Sequence, residues 1–288
     1  MPDITPAMLR SLCAVPIIDL AYYESVFCMA VSGKSIEVCS LGIHTMRDGT
    51  GAPLLFLHGA NGVAGWSPFF AELANDFDVI VPEHPCFGKS DDAPWIADVP
   101  DLAMFYIGFL EQLDLRDVHI VGTSLGGWIA AEIASRNSSR IASVTLGAPA
   151  GVGLSDTPPG DYSSWSAAQL TRNLVFDQSI AERLLSAQPT PEQLELQVRN
   201  CRAATKFVWE PGLVSPALEK WLHLIKIPTS ILWGTQDKLL PVAYADRWRQ
   251  LIPQASVTLI DDCGHLPHVE RAATLSSSIK SFISSIPN

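Results

Sequence analysis

A single serine lies among glycines at the point where the chain changes from a strand pattern to a helix pattern. Residues 118–121 form an apolar run rich in β-branched side chains, and apolar residues recur at helical spacing after it. Gly122 and Gly126 flank Ser124 at two residues on either side, which is the spacing of a nucleophile elbow. Glycines at those positions let the strand and the helix pack closely, and the serine hydroxyl is then exposed at a helix N-terminus, where negative charge is stabilised. The pattern therefore predicts a nucleophilic serine.

Candidate partners for this serine lie in two loops near the C-terminus. A serine hydroxyl is a weak nucleophile and needs a base that is itself oriented by a carboxylate. Asp237 follows one predicted strand, and His265 follows the last one. The order serine, aspartate, histidine is the one expected with this type of elbow. Asp261 and Asp262 are alternatives for the carboxylate, and His268 is the alternative for the base.

Apolar runs alternate with helical patterns along most of the chain. The runs at 53–57 and 118–121 are typical of strands that are buried on both faces. Strands that alternate with helices predict an α/β fold with a mostly parallel, doubly wound sheet, here of about eight strands. Ligands bind beyond the carboxyl ends of the strands in such sheets, and His58, Glu83 and Ser124 lie at such ends.

The alternation of strand and helix patterns divides the chain into three parts. Residues 1–33 are a weakly patterned N-terminal extension with one predicted helix around 6–13. Residues 34–150 and 225–288 form the α/β core, and 151–224 are predicted to be an inserted helical cap. The cap has no convincing buried strand and contains two helical patterns, 167–187 and 191–206.

Four segments carry a resemblance to a known family. They are the loop at His58-Gly59, the elbow at 122–126, the loop 234–241 that contains Asp237, and the loop 264–270 that contains His265. On these motifs the chain resembles the α/β-hydrolase fold superfamily, in particular capped serine hydrolases such as meta-cleavage-product hydrolases, small esterases and lactonases. The resemblance covers residues 35–286, with the cap as an interruption, and it implies the α/β-hydrolase fold.

The resemblance also implies roles for individual residues. Ser124 would attack the substrate, His265 would act as general base and then general acid, and Asp237 would hold the imidazole. The oxyanion hole would consist of the backbone N–H groups of Leu125 and Ala60. His58 is expected to brace the loop 58–62 that carries Ala60, which is called the oxyanion loop below.

We expect the substrate to contact residues near the serine and residues of the cap. The candidates are Asn61 and Leu266 in the core and Trp165, Phe176 and Trp209 in the cap. Packing within the cap is the alternative role of the three aromatic residues. For His84, the pattern leaves two alternatives, an edge of the pocket or the surface.

The chain departs from the family pattern at three positions. Cys86 stands where the resemblance leads us to expect glycine in a turn. Meta-cleavage-product hydrolases carry asparagine before the nucleophile and tryptophan after the catalytic histidine, whereas this chain has Thr123 and Leu266. Those two departures weaken the case for hydrolysis of a carbon–carbon bond.

Serine at the elbow is compatible with hydrolysis through an acyl-serine intermediate. A cap with an apolar bias favours a small to medium, fairly hydrophobic carboxylic ester, thioester or lactone as the substrate. The alternatives are a carbon–carbon bond hydrolase of the meta-cleavage-product type and a non-hydrolytic member of the same fold, either a ligand receptor or a lyase.

Composition narrows the range of partners. Nineteen basic and thirty acidic residues give a net charge of −11, which argues against nucleic acid or an anionic membrane as a partner. The chain contains no run of eighteen apolar residues and no pattern of a signal peptide, and its six cysteines are scattered, so we expect a cytoplasmic protein. No metal or cofactor is expected, the partner is a small acyl substrate, and a homodimer is left open.

Overall fold

A sheet of eight strands forms the centre of the molecule. The computed structural model describes residues 31–162, 164–208 and 212–287. The strands are β1 (Lys34–Val38), β2 (Leu41–Asp48), β3 (Ala52–Leu57), β4 (Phe77–Pro82), β5 (Val118–Thr123), β6 (Ile141–Gly147), β7 (Thr229–Gly234) and β8 (Ser256–Ile260). Their order is β1-β2-β4-β3-β5-β6-β7-β8, with antiparallel pairing of β2 to β1 and to β4 and parallel pairing elsewhere. The predicted sheet is confirmed.

Helices connect the strands and cover both faces of the sheet. They are α1 (Pro68–Leu73), α2 (Val99–Gln112), α3 (Leu125–Arg136), α4 (Ala167–Leu174), α5 (Gln178–Ser186), α6 (Pro191–Val208), α7 (Pro216–Glu219), a 3₁₀ turn (Leu222–Leu224), α8 (Ala243–Leu251), α9 (Pro267–Glu270) and α10 (Ala272–Ser284). Within the described ranges, none of these helices combines the length and the apolar character that a membrane span requires.

Two hydrophobic clusters form the core. One contains Tyr106 of α2 and Trp128 of α3, and the other contains Phe56 of β3, Phe69 of α1 and Leu275 of α10. Every residue of β5 is buried. Burial on both faces explains why the central strands read as continuous apolar runs rather than as an alternation of apolar and polar residues.

The segment between β6 and β7, residues 148–228, contains α4 to α7 and is called the helical insertion below. The predicted helical pattern 167–187 is two helices, because Val175 is extended and the Asp177 carboxylate accepts a hydrogen bond from the Ser179 N–H at the start of α5. The boundaries 151–224 of a cap domain stay a prediction. The helix predicted around 6–13 lies outside the described residues.

The backbone is unusually close-packed where β5 turns into α3. A Cβ atom on Gly126 would lie 1.9 Å from the Leu57 carbonyl oxygen, and one on Gly122 would lie 2.2 Å from the Gly126 carbonyl oxygen. Ser124, between the two glycines, has φ +53° and ψ −116°, a backbone conformation that residues other than glycine rarely adopt. The two glycines are therefore required by contact between backbone segments.

Gly126→Ala is expected to lower the free energy of unfolding by about 3 kcal/mol or more, since its methyl group meets main-chain atoms that cannot move aside. Gly59→Ala is the matched control, because a Cβ there makes an ordinary contact of 3.4 Å with the Ser124 Cβ, and we expect a change within about 1 kcal/mol. Urea unfolding followed by circular dichroism measures both values. Equal stability of the two variants would contradict this account of the elbow.

Candidate active site

The elbow and two loops bring a serine, a histidine and an aspartate into one hydrogen-bonded row. Ser124 Oγ lies 3.0 Å from His265 Nε2, and His265 Nδ1 lies 2.7 Å from Asp237 Oδ2. A carboxylate can only accept, so Nδ1 carries the proton and Nε2 is free to accept the serine hydroxyl. The side chains of Asp237 and His265 are 0% and 3% exposed, so the contact between them is shielded from bulk water.

The aspartate is fixed by the turn in which it lies. Asp237 Oδ1 accepts the N–H groups of Leu239 and Leu240, each at 2.8 Å, while Oδ2 faces His265. The alternatives Asp261 and Asp262 are exposed to solvent. One oxygen of the predicted aspartate thus fixes its position in the turn, and the other contacts the histidine.

His268, the alternative base, lies in a different environment. Its ring lies beside the rings of Phe56 and Phe69, at centroid distances of 6.4 Å each, and its Nδ1 is buried without a hydrogen-bond partner among the described residues. Burial, with a smaller contribution from the neighbouring His265, lowers the pKa of His268 to about 4. The ring is therefore neutral at pH 7.

Leu125 supplies one candidate oxyanion donor. It is the first residue of α3, and the first N–H groups of a helix have no acceptor within the helix. The N–H of Ser124 itself is used, because it donates to the Gly147 carbonyl at 2.9 Å. The N–H of Leu125 thus lies directly after the nucleophile, at the positive end of the helix dipole.

Ala60 supplies the second candidate donor, and its direction follows from the preceding carbonyl. Gly59 O accepts from His58 Nδ1 at 2.7 Å and from the Gly62 N–H at 3.1 Å. Because a trans peptide is planar, the Ala60 N–H points away from those two groups. The proximity of Gly59 to Ser124 noted above places this loop against the candidate nucleophile.

A buried network of two histidines and a tyrosine holds the loop. His58 Nε2 accepts the His84 N–H at 3.0 Å, so His58 carries its proton on Nδ1 and donates it to Gly59 O. His84 Nε2 donates to the His58 carbonyl at 2.9 Å, and His84 Nδ1 accepts from the Tyr106 hydroxyl at 2.5 Å. Burial lowers the pKa of His58 to about 4 and that of His84 well below its ordinary value. His84 is fully buried, so the surface alternative for it is wrong, and it is not among the lining residues of the cavity, so the pocket-edge alternative is not supported either.

The loop that carries His265 is joined to the helical insertion. The His265 N–H donates to the Leu174 carbonyl at 2.8 Å. Glu270 accepts from the N–H groups of Phe176 and Asp177 through Oε1 and from that of Gly264 through Oε2, at 2.6 to 2.8 Å. Burial raises the pKa of the Glu270 carboxyl, and the three amides oppose that shift. Glu270 thus connects the histidine loop with the turn between α4 and α5.

Ser124 and His265 open into a cavity of about 510 Å³, within the usual size of small-molecule sites. The cavity lies between the ends of the strands and the helical insertion. Its apolar lining comes from both parts of the molecule and includes Met46, Leu170, Leu174, Leu196, Leu239 and Leu266. A largely apolar space next to a polar row of side chains suits a ligand with a hydrophobic body and one reactive polar group.

The predicted substrate contacts fall into two groups. Asn61 and Leu266 line the cavity, as does Ala60. Trp165 and Phe176 are not among its lining residues: Trp165 packs against the core, and Phe176 is 42% exposed on the turn between α4 and α5. The prediction that these two contact the substrate is therefore not supported by their positions. Trp209 lies outside the described residues.

The sequence interpretation missed the face of α6 that closes the cavity. Gln193, Leu196, Gln197, Asn200 and Ala204 all line it. They recur at three- and four-residue spacing, which places them on one side of a helix. That spacing was visible in the sequence, but their mixed polarity concealed the face.

Cys86, at the position where the resemblance leads us to expect glycine, has φ +74°. A left-handed φ is the reason why glycine suits this turn. The thiol accepts the Ala93 N–H at 3.3 Å and is not among the lining residues of the cavity. Cysteine is thus tolerated here at a cost in backbone strain.

The comparisons with known proteins define the class. A family model described as the alpha/beta hydrolase family matches residues 54–277. The chain therefore belongs to the alpha/beta hydrolase family, and the resemblance drawn from the four segments is confirmed.

The chain is similar to individual relatives and solved structures over most of its length. The chain is 30% identical to the 2-hydroxymuconate semialdehyde hydrolase of Pseudomonas sp. (strain CF600), over 86% of this chain and 93% of that protein. It is 25% identical to the dihydrolipoyllysine-residue acetyltransferase component of the acetoin cleaving system of Pseudomonas putida, over 81% of this chain but 64%, less than two thirds, of that protein. A solved bacterial membrane phospholipase A is similar at a TM-score of 0.71 and 25% identity, over 98% and 90% of the two chains. Solved meta-cleavage product hydrolases and esterases, at 22% and 21% identity, share the fold.

The neutral buried histidines predict a pH dependence of stability. Because His58 and His268 have folded pKa values of about 4 and an ordinary value of 6.5, the unfolded chain binds more protons between those pH values. Stability is therefore expected to fall as the pH is lowered from about 6.5 to about 4. His268→Leu should reduce this slope by up to about 1.4 kcal/mol per pH unit.

Urea unfolding at pH 7, 6 and 5 measures the slope. His223→Leu is the control, since His223 is exposed and its loss should leave the slope at the wild-type value. A wild-type slope in His268→Leu would show that this histidine is protonated in the folded state as readily as in the unfolded state.

Proposed function

We propose that the chain is a serine hydrolase that cleaves a small to medium, fairly hydrophobic carboxylic ester, thioester or lactone through an acyl-serine intermediate. The observation that carries the proposal is the contact of 3.0 Å between Ser124 Oγ and His265 Nε2 at the wall of a largely apolar cavity. Membership of the alpha/beta hydrolase family supports hydrolysis as the reaction class.

Acylation begins with transfer of the hydroxyl proton of Ser124 to His265 Nε2 as Oγ attacks the substrate carbonyl. The negative charge that develops on the carbonyl oxygen is stabilised by the N–H groups of Leu125 and Ala60. Asp237, held by two backbone amides, stabilises the imidazolium cation that forms. His265 then gives the proton to the leaving alkoxide, and the acyl group remains on the serine.

Deacylation reverses these roles with water as the nucleophile. His265 takes a proton from a water molecule, the hydroxide attacks the acyl carbonyl, and the same two N–H groups receive the charge. Collapse of the tetrahedral intermediate returns the proton to Ser124 Oγ and releases the carboxylic acid. The proposed proton transfers between Ser124 and His265 are supported by the contact of 3.0 Å between Oγ and Nε2.

The cavity favours a hydrophobic acyl group. Leucines from the strand ends and from the helical insertion surround the space beside Ser124. Burial of apolar surface contributes roughly 25 cal/mol per Å², so a longer acyl chain gains affinity until the space is filled. A cavity of about 510 Å³ accommodates a substrate of drug-like size.

Carbon–carbon bond hydrolysis is the second candidate. It is favoured by the 30% identity to a 2-hydroxymuconate semialdehyde hydrolase over most of both chains. Thr123 and Leu266 stand where that type of enzyme typically carries asparagine and tryptophan, and these differences are the reason for ranking the ester first.

Exposure to a small organophosphonate fluoride is expected to add one phosphonyl group per chain, because Ser124 Oγ displaces the fluoride and the product mimics the tetrahedral intermediate. Intact-mass spectrometry measures the adduct. Ser124→Ala should remain folded, gain no mass and lose turnover by about 10⁴-fold or more. An adduct of equal yield in Ser124→Ala would place the reactive nucleophile elsewhere.

Steady-state kinetics on p-nitrophenyl esters of two to twelve acyl carbons test the substrate class. We expect kcat/KM to rise with chain length to a maximum and to exceed kcat/KM for 2-hydroxymuconate semialdehyde by at least about tenfold, or about 1.4 kcal/mol in the barrier. The reverse order would favour the carbon–carbon hydrolase. One acylation per chain without turnover would favour a ligand receptor.

A further inference from the structure

The side chain of Asn200 projects from α6 into the space between two loops of the core. A Cβ on Gly62, which has φ +82°, would lie 2.2 Å from Asn200 Nδ2, so the side chain packs directly against the backbone of the oxyanion loop. Asn200 also lines the cavity. This position places an amide from the helical insertion beside Asn61 and Gly62, the two residues that follow Ala60.

Both ends of the Asn200 amide are used. Nδ2 donates to the Asn61 carbonyl at 3.0 Å, and Oδ1 accepts the Gly88 N–H at 2.7 Å. One loop therefore requires a donor and the other an acceptor. A carboxamide meets both requirements, whereas an aspartate supplies the acceptor and loses the donor.

The oxyanion loop is thereby held from two sides. Gly59 O is fixed from the core by His58 and by the Gly62 N–H. Asn61 O is fixed from the helical insertion by Asn200. Asn61 O and the Gly62 N–H belong to one peptide plane, and that N–H donates to Gly59 O, which shares its own peptide plane with the Ala60 N–H. The Asn200 contact therefore acts on the direction of the Ala60 N–H through Asn61 and Gly62.

Other side chains of α6 fasten the helix to a neighbouring part of the core. Arg199 Nη2 donates to Asp92 Oδ1 at 2.8 Å and to the Ser90 carbonyl. Lys206 Nζ donates to the Ala93 carbonyl at 3.2 Å. These contacts hold α6 on the loop 90–93 and, unlike the Asn200 contact, do not touch residues 59–62. They provide a comparison in which the helix is loosened without a direct effect on the oxyanion loop.

We propose that Asn200 is a positioning residue that fixes the Ala60 N–H through Asn61, so that the oxyanion hole is complete when α6 lies over the cavity. This inference rests on the proposed function of the site. A misplaced oxyanion donor weakens binding of the transition state more than binding of the substrate, because the charge on oxygen develops only in the transition state. The expected effect of losing the Asn200 contact is therefore on kcat.

The test compares Asn200→Asp, Asn200→Ala and the control Arg199→Ala on a short p-nitrophenyl ester. Asn200→Asp retains the acceptor for the Gly88 N–H and removes the donor to the Asn61 carbonyl. Arg199→Ala removes a different contact of the same helix, the one with Asp92. We expect both Asn200 variants to lower kcat by about 10- to 100-fold with KM changed less than about threefold. Arg199→Ala should keep kcat within about threefold of wild type.

A trifluoromethyl ketone with the same acyl chain gives a second readout, because its adduct with Ser124 carries an oxyanion. Its inhibition constant should rise in the Asn200 variants by the same factor by which kcat falls. Thermal melting of each variant shows whether a loss of kcat is due to unfolding. Asn200→Asp is the variant that retains one of the two hydrogen bonds, the one from the Gly88 N–H.

Three results would overturn the positioning role. They are a wild-type kcat in Asn200→Asp, a loss confined to KM, and an equal loss of kcat in Arg199→Ala, which would show that any loosening of α6 has the same effect. Phosphonate labelling of the wild-type chain is measured first. Labelling at Ser124 combined with any of these three results rejects the role of Asn200 alone, whereas an unlabelled wild-type chain rejects the proposed function as well.

Discussion

The contact between main-chain atoms at Gly122 and Gly126 is the constraint on which the site depends. With no Cβ at either position, the end of β3, the end of β5 and the start of α3 approach more closely than any side chain would permit. Ser124 is held there in a conformation that costs about 1 to 3 kcal/mol, which the complete burial of β5 and of most of α3 offsets. The same turn directs Oγ outward to His265 and leaves the next N–H unpaired within the helix.

The oxyanion loop is held by neutral groups rather than by charges. In the network of His58, His84 and Tyr106, each ring nitrogen and the hydroxyl has a hydrogen-bond partner. Burial of the network therefore leaves none of these polar groups unsatisfied. A charged residue in this place would require a buried counter-ion beside the candidate oxyanion hole. Neutral histidines fix the direction of the Gly59 carbonyl without adding a net charge near Ser124.

Features that depend on neighbouring residues were predictable from the sequence, and features that depend on distant ones were not. The strands and the elbow follow from local apolar runs and glycine spacing, and the positions of Asp237 and His265 follow from loops directly after strands. The break between α4 and α5, at extended Val175 and the Asp177 cap, is also held by Glu270, about ninety residues further along the chain, which accepts the N–H groups of Phe176 and Asp177. No periodicity in 167–187 contains that information.

Contacts of the helical insertion with the core explain why other predictions are not supported by the positions of the residues. The substrate contacts proposed for Trp165 and Phe176 were inferred from residue type alone. Whether an aromatic side chain points into a cavity or away from it depends on how the insertion sits on the strand ends. The position of Asn200 illustrates the same limit, because an asparagine in a helix has no pattern that reveals a partner 139 residues earlier.

The helical insertion is attached to the core by unlike means at its two sides. On the side of α4 the attachments are backbone groups, from Leu174 to the His265 N–H and from Phe176 to the Glu270 carboxylate. On the side of α6 they are long, partly exposed side chains such as Arg199. The two sides therefore differ in what a loss of contact would disturb. Loss of the contacts at 174–177 would disturb the backbone of the loop that carries His265, whereas loss of the Arg199 contact would leave that loop in place.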